Sequence, residues 1–309
     1  MALTKQKEHP SAARLCLLMA HLEREGEIRL REIAPLLHVS SVTASQYARM
    51  LQESGVAFLA RSRVGCDPKD RKLRLTENVV FHVLSVEKTR LCTFRLCSAT
   101  GKHERRTLSL CPAISDEEAR LALLRRVSDA WEGCWQSSVT VGVMLEDGLS
   151  LPEGTPRSLL ARRTDTWETL TVSALLREFG EQSVLYVRYS NRPLLILMAG
   201  GVRLPMDRPN QALARMWSDG AEERIDALAK QLSRIYSVFA LDVVVVEADG
   251  VRAETVIESL HATAVIPSEA ESTSAMRFVA VKEIGLAERE MLARLRLHLA
   301  EKLLSDAKK

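Results

Sequence analysis

The chain has 309 residues, of which 46% are hydrophobic, and its 43 Lys and Arg are nearly balanced by 40 Asp and Glu. That length suits two domains with ordinary apolar cores, and a formal net charge of only +3 excludes a bulk polycation, so any affinity for nucleic acid has to be local. No apolar run approaches the length of a membrane span and residues 1–10 carry no hydrophobic signal core, so a cytoplasmic location without a membrane partner is expected.

The six cysteines (Cys16, Cys66, Cys92, Cys97, Cys111, Cys134) show no two-residue spacing and no histidine partner pattern. Neither a zinc site nor a disulfide framework is signalled, and no metal or cofactor is expected.

Leu15, Leu18, Met19 and Leu22 recur at helical spacing and predict a helix within residues 11–24. After a short strand, Ile33, Ala34 and Leu37 make the inward face of a second helix, which His38-Val39-Ser40 interrupts. Pro35 sits inside that helix, where a place in the first turn would make its missing N–H harmless. A third helix is predicted over residues 41–54, capped by Ser40 or Ser41 and stopped by Gly55. Ala44, Ala48 and Leu51 form its buried stripe, which leaves Ser41, Thr43, Ser45, Gln46 and Arg49 on the opposite side. These are groups of the kind that reach base edges and phosphates.

Residues 56–60 and 73–75 read as two strands around a turn-rich connector. Between positions 61 and 74 stand six cations (Arg61, Arg63, Lys69, Arg71, Lys72, Arg74) against Asp67 and Asp70, a local excess of +4. The whole stretch 27–76 has the order of a winged helix-turn-helix, with a cationic hairpin placed to hold a phosphate backbone. Thr43, Ser45, Gln46 and Arg49 are the expected base contacts. Ser41, Arg61, Arg63, Lys69, Arg71, Lys72 and Arg74 are the expected phosphate contacts.

From position 79 the chain turns to a second, larger domain with no Pro/Ser/Gly linker before it, giving domains 1–78 and 79–309. Strands are predicted over 80–86, 90–96 and 104–110 as an antiparallel series, then a helix from 115 to about 131 and a buried strand over 139–145. The second half again mixes helices with short strands, at different spacing. A helix is predicted over 172–179, strands over 183–188, 194–198 and 202–204, a long helix over 209–238 and the apolar strand 242–246. Leu292, Leu295, Leu299 and Leu303 form one stripe of a last helix, and the arginines at 157, 162 and 163 read as a solvated loop, with contact to an anionic ligand as the alternative. The implied fold class is α/β and multi-domain, with two similar lobes after the helix-turn-helix.

This order of elements resembles the ROK family of repressors, open reading frames and kinases, in which a winged helix-turn-helix precedes a two-lobed, actin/hexokinase-like sugar-kinase domain. The likeness extends over nearly the whole chain and rests on topology and local pattern. In its terms residues 83–89 take the place of the first phosphate loop, 141–148 of the strand ending near the sugar, 185–201 of the second phosphate loop and 243–250 of the strand ending near the adenine. Against the family pattern, Ser85 and Glu87 replace Asp and Gly, and only Thr89 matches in that loop. Tyr189, Asn191, Pro193 and Leu195 fall where glycines let the backbone approach phosphate, and Glu247-Ala248 replaces paired glycines. No Asn-Asp pair precedes the helix ending in Glu178-Phe179-Gly180, so the general base is missing, and residues 202–240 lack the family's zinc-binding cysteines.

The resemblance therefore implies a DNA-binding transcriptional regulator, not an enzyme, whose kinase-like domain is catalytically inactive and serves dimerisation or sensing. Double-stranded DNA, a second copy of the chain and a small-molecule or protein effector are the expected partners. Two alternatives stand beside it: a winged-helix protein-interaction module on a pseudo-kinase scaffold, and a divergent sugar kinase.

Overall fold

Ser11 accepts a hydrogen bond from the Arg14 amide (3.4 Å) and so starts helix α1 (Ala12–Glu25), which buries Leu15, Leu18, Met19 and Leu22. A two-residue strand β1 (Ile28–Arg29) then leads into α2 (Leu30–Leu37). The left-handed His38 (φ 50°) breaks the helical run, and α3 (Ser41–Glu53) follows, ending at Gly55 with φ 71°. Strands β2 (Ala57–Leu59) and β3 (Lys72–Leu75) pair antiparallel, and β1 adds to the far side of β3, so the sheet order is β1-β3-β2. Ile33, Leu37, Ala44, Tyr47, Ala48 and Leu51 fill the space between the helices. Each large apolar side chain buried there contributes about 1.5–3 kcal/mol. Pro35 is the sixth residue of α2, beyond the first turn, which corrects the sequence expectation. It removes one intrahelical donor from a helix that ends two residues later, where the His38 amide bonds back to the Ala34 and Pro35 carbonyls.

The computed structural model describes residues 11–60, 67–77, 79–87, 90–109, 116–132, 140–146, 148–160, 162–190, 192–217, 220–263, 276–282 and 284–307. The chain divides into two units, Met1–Trp167 with Met291–Lys309, and Glu168–Glu290. The N-terminal helices thus share a unit with the first of two five-stranded sheets, and the sequence-based division after residue 78 does not coincide with the division into units.

The first sheet is built from β4 (Val80–Val86), β5 (Arg90–Cys97), β6 (His103–Ser109), β7 (Thr140–Leu145) and β8 (Arg163–Thr166), in the order β6-β5-β4-β7-β8. Every residue of β4 is buried, as a central strand covered on both faces should be. Between β6 and β7 runs α4 (Asp116–Glu132), and Leu124 and Val127 pack with Leu84, Val86, Val141 and Val143 into one core. Within that sheet His82 is 4% exposed, and burial, aided by the positive charge of Arg95, lowers its pKa to about 4. Gly142 in β7 has a packing reason: a Cβ there would lie 2.5 Å from the Met291 sulfur of the C-terminal helix α10 (Leu286–Asp306). In the same unit Glu23 of α1 accepts from the Ser98 hydroxyl (2.8 Å) and pairs with Arg296 of α10 (2.5 Å), both charges being mostly buried.

The second unit opens with α6 (Trp167–Phe179), its first residue belonging to the other unit, and holds β9 (Val184–Tyr189), β10 (Leu194–Ala199), β11 (Val202–Leu204), β12 (Val243–Ala248) and β13 (Arg277–Ala280). Their order, β11-β10-β9-β12-β13, repeats that of the first sheet: an antiparallel triplet whose first strand is then flanked by two parallel ones. The two similar α/β lobes expected from the sequence are therefore two copies of one topology. The long helix expected over 209–238 is instead two helices, α7 (Asp207–Met216) and α8 (Ala221–Tyr236). The interruption falls where Trp217 and Gly220 adopt extended backbone, and Trp217 turns to bond the Ser190 carbonyl. Arginines 157 and 163 are exposed, as the solvated reading expects, but they stand on regular elements and not in a loop: Arg157 starts the short helix α5 (Arg157–Leu160) and Arg163 starts the edge strand β8. Helix α9 (Ala253–Thr263) precedes β13. Among the described residues no helix is long and apolar enough to cross a membrane.

Candidate nucleic-acid interface

Helix α3 separates its residues sharply by face. Ala44, Tyr47, Ala48 and Leu51 are buried, and Tyr47 is locked at its far end: its hydroxyl accepts from the Ser11 amide at 2.6 Å and lies 3.4 Å from the Ser11 carbonyl. One side chain thereby fixes the start of α1 against the middle of α3. On the opposite face Ser41, Val42, Ser45, Gln46, Arg49 and Glu53 are exposed. The Ser45 hydroxyl donates to the Ser41 carbonyl (2.9 Å), which leaves its lone pairs outward. Arg49 is paired with Glu53 at 2.7 Å, but both side chains are more than half exposed, so the pair is worth well under about 1 kcal/mol and the guanidinium can be drawn away.

Thr43 is a correction. Expected on the outer face, it is 5% exposed, and its amide bonds the Ser40 hydroxyl at 3.2 Å while its own hydroxyl lies 3.0 Å from the same atom. Thr43 thus belongs to the cap that starts the helix. The physical reason is its place one turn ahead of Tyr47, on the buried side of a helix with 3.6 residues per turn. Val42 occupies the outer position instead, 68% exposed.

The hairpin beside α3 carries a similar split. A 3-10 turn over Pro68–Asp70, begun by Asp67 accepting from the Lys69 amide at 2.8 Å, precedes β3. Lys69 and Arg71 are exposed and hold no ion pair among the described residues, and Asp70 is engaged by Arg31 of α2 at 2.8 Å. Lys72 and Arg74 are different: both bond Glu27, Arg74 through Nε at 2.8 Å, and these two bonds hold the Glu27 carboxyl below the usual range. The phosphate contacts expected of Lys72 and Arg74 therefore compete with an internal carboxylate. Arg61 and Arg63 lie outside the described residues.

Glu27 escaped the sequence reading, although its signal is physical. Ile28 pairs with Leu73 across the sheet, which sets Glu27 opposite Arg74. Opposite charges at facing positions attract, but the register has to be known first. Tyr47 was equally hidden, lying between Ala44 and Ala48 on the buried stripe with a polar tip that finds its partner thirty-six residues earlier.

In the second unit Tyr189 and Leu195, two of the residues standing where glycines were expected, turn inward. At the end of β9, Tyr189 is 5% exposed and packs edge-on to Trp217, with ring centroids 5.4 Å apart. Trp217 Nε1 donates to the Ser190 carbonyl (2.9 Å), the Ser190 hydroxyl donates to the Arg192 carbonyl (2.6 Å), and the Arg192 amide returns to that hydroxyl (3.2 Å). Leu195 is buried, and its amide and carbonyl are both taken by the Asn210 side chain of α7 at 2.7 and 3.0 Å. Asn191 is outside the described residues, as is Thr89 of the first loop, and Ser85 is buried within β4. Glu247 does not project toward solvent. It is 8% exposed and accepts from the Leu286 amide at 3.0 Å, and burial with repulsion from Glu288 raises its pKa to about 7. Among the described residues no cluster of His, Cys, Asp and Glu is arranged to hold a metal ion.

No family model matches the chain, and no curated protein matches it. Solved structures do. The structure of a ROK family transcriptional regulator, a homolog of the E. coli MLC protein, superposes with a TM-score of 0.55 over 95% of this chain and 98% of that one, at 9% identity. A ROK family glucokinase from Streptomyces griseus in complex with glucose and AMPPNP covers 72% of this chain and 98% of its own at 11% identity and a TM-score of 0.43. A ROK family protein from Streptococcus pneumoniae in complex with sucrose covers 74% and 100% at 12% identity and 0.42. At 9% identity the first superposition establishes a shared fold and nothing beyond it.

Proposed function

We propose that this protein is a sequence-specific, DNA-binding transcriptional regulator. Its N-terminal module, residues 1–78, is a winged helix-turn-helix: α2 and α3 are the helix pair, β2 and β3 the wing. Helix α3 enters the major groove and presents Ser45, Gln46 and Arg49 to base edges, with Ser41 on a phosphate and the Val42 methyl groups against thymine methyls. Lys69 and Arg71 hold neighbouring phosphates, and the same role is proposed for Arg61 and Arg63. Residues 79–309 dimerise the chain, so that two modules meet two half-sites, and act as a sensing domain that carries out no phosphoryl transfer. The location is cytoplasmic.

One observation carries this reading: α3 keeps a continuous exposed face of Ser41, Val42, Ser45, Gln46 and Arg49 beside a hairpin whose Lys69 and Arg71 are exposed and free of ion pairs among the described residues. The inward-turned residues at the β9–β10 turn support the non-enzymatic part, because a nucleotide phosphate needs backbone amides that are free to approach it, and those at Arg192 and Leu195 are already bonded.

Selection from random duplexes with the full chain tests it. An enriched motif with two half-sites about one helical turn apart is the expected result. Recovery of unenriched duplexes, together with salt-independent retention, would overturn it. Calorimetry with ATP and a panel of hexoses tests the second part, with no turnover expected.

A further inference from the structure

On helix α3 the exposed Val42, Gln46, Arg49 and Glu53 fall in a single line. At 3.6 residues per turn they lie within about 60° of one another around the axis, opposite the buried Ala44, Tyr47 and Leu51. Ser41 and Ser45 stand to one side of that line, and the Ser45 hydroxyl is already spent on the Ser41 carbonyl. Along the helix the line therefore runs from an apolar group to an amide, then a cation, then a carboxylate.

The first three have distinct counterparts on major-groove edges. Val42 is 68% exposed among polar neighbours, and the apolar group that the groove offers is the C5-methyl of thymine. Gln46 brings a donor and an acceptor together, which complement N7 and N6 of adenine. Arg49 gives its Nε to Glu53 at 2.7 Å, which leaves Nη1 and Nη2 for O6 and N7 of guanine. The exposed pair adds little stability, but it sets which guanidinium edge faces outward. The axial steps, about 6 Å from Val42 to Gln46 and about 4.5 Å from Gln46 to Arg49, correspond to one or two base steps of about 3.4 Å.

From this line, and resting on the DNA-binding reading proposed above, we infer that each half-site presents, in order along α3, a thymine methyl to Val42, an adenine edge to Gln46 and a guanine edge to Arg49, with Glu53 as the positioning residue that aims the Arg49 guanidinium. The inference goes beyond that reading by fixing the base types, their order and the role of Glu53.

The experiment takes the duplex that the full chain selects from a random library and replaces single bases in it, with affinity read by fluorescence anisotropy. The selected motif should contain the three base pairs one or two steps apart. Uracil in place of the motif's thymine should weaken binding about fourfold, the loss of one buried methyl group. The nitrogen-deleted analogue 7-deazaguanine should weaken it about fivefold or more, the loss of one charge-assisted hydrogen bond. Val42→Ala should erase the uracil effect and keep that of 7-deazaguanine, and Arg49→Ala should do the reverse. Glu53→Ala removes a negative charge beside the duplex, so it should bind random DNA more tightly while losing at least half of the 7-deazaguanine penalty; Glu53→Gln, which keeps an acceptor, should retain more of that penalty. A merely structural Glu53 would not separate these two readouts. The three substituted positions are exposed, and circular dichroism should match the parent. A selected motif that tolerates both analogues, or penalties unchanged in Val42→Ala, Arg49→Ala and Glu53→Ala, would overturn the inference and leave the regulator reading in place. The absence of any selected motif would remove both.

Discussion

Helix α3 and the β9–β10 turn use polar residues in opposite ways. On α3 the buried side is satisfied internally by Thr43 and Tyr47, and Ser41, Ser45, Gln46 and Arg49 are left facing solvent. At the β9–β10 turn Ser190, Arg192 and Trp217 close on one another, and the Asn210 side chain takes the amide and carbonyl of Leu195. A surface that must exchange water for a ligand's hydrogen bonds keeps its donors and acceptors accessible, whereas a structural turn consumes them. By that criterion the exposed groups of α3 fit the partner-facing role proposed for them, and the turn is built to hold a strand pair together.

Substitutions at the two places should separate these uses. The largest effect belongs to Tyr47→Ala, which empties a fully buried site and cuts the tie to Ser11, at a cost of about 3–5 kcal/mol. Chemical denaturation should show that loss, and a change below about 1 kcal/mol would mean that the inner face of α3 does not anchor the unit. Arg49→Ala comes next. It should leave thermal stability within about 0.5 kcal/mol, since its pair with Glu53 is exposed, but flatten preference for the selected DNA site by about 1–3 kcal/mol in competition binding. Trp217→Phe should reverse that pattern: the Ser190 carbonyl loses its donor, stability falls by about 1–3 kcal/mol, and DNA preference and ATP affinity stay as in the parent.

Much of this was legible in the sequence, for reasons that can be named. The apolar stripe of α1, the Ser40 cap, Gly55 and the unbroken valines of β12 are local signals, each decided by residues within one or two turns. Thr43, Glu27 and Trp217 were not legible, because each is placed by a partner or a face that only the folded chain supplies. Thr43 lies one turn ahead of Tyr47 on the buried side, and Glu27 needs the β1–β3 register. Trp217 ends α7 because the Ser190 carbonyl is there to receive it. The cationic excess of residues 61–74 was countable in advance, but which cations were already engaged was not.

Two smaller effects sharpen the division on the side proposed to face DNA. Thr43→Val, a near-isosteric change, should cost about 0.5–1.5 kcal/mol of stability through loss of the hydroxyl contact with Ser40 and leave sequence preference intact. Altered preference in that variant would return Thr43 to the reading face. Glu27→Gln frees Lys72 and Arg74 for phosphate, so it should steepen the dependence of log affinity on log salt by up to about 1–2 without altering the selected motif. An unchanged slope would mean that neither cation reaches the duplex.

Amide hydrogen exchange of the full chain, with and without a selected duplex, reads the proposed contact between α3, the wing and DNA most directly. Protection is expected at the start of α3 and across residues 67–74, with the β9–β10 turn unchanged. Protection confined to the two five-stranded sheets, or none at α3, would contradict the account.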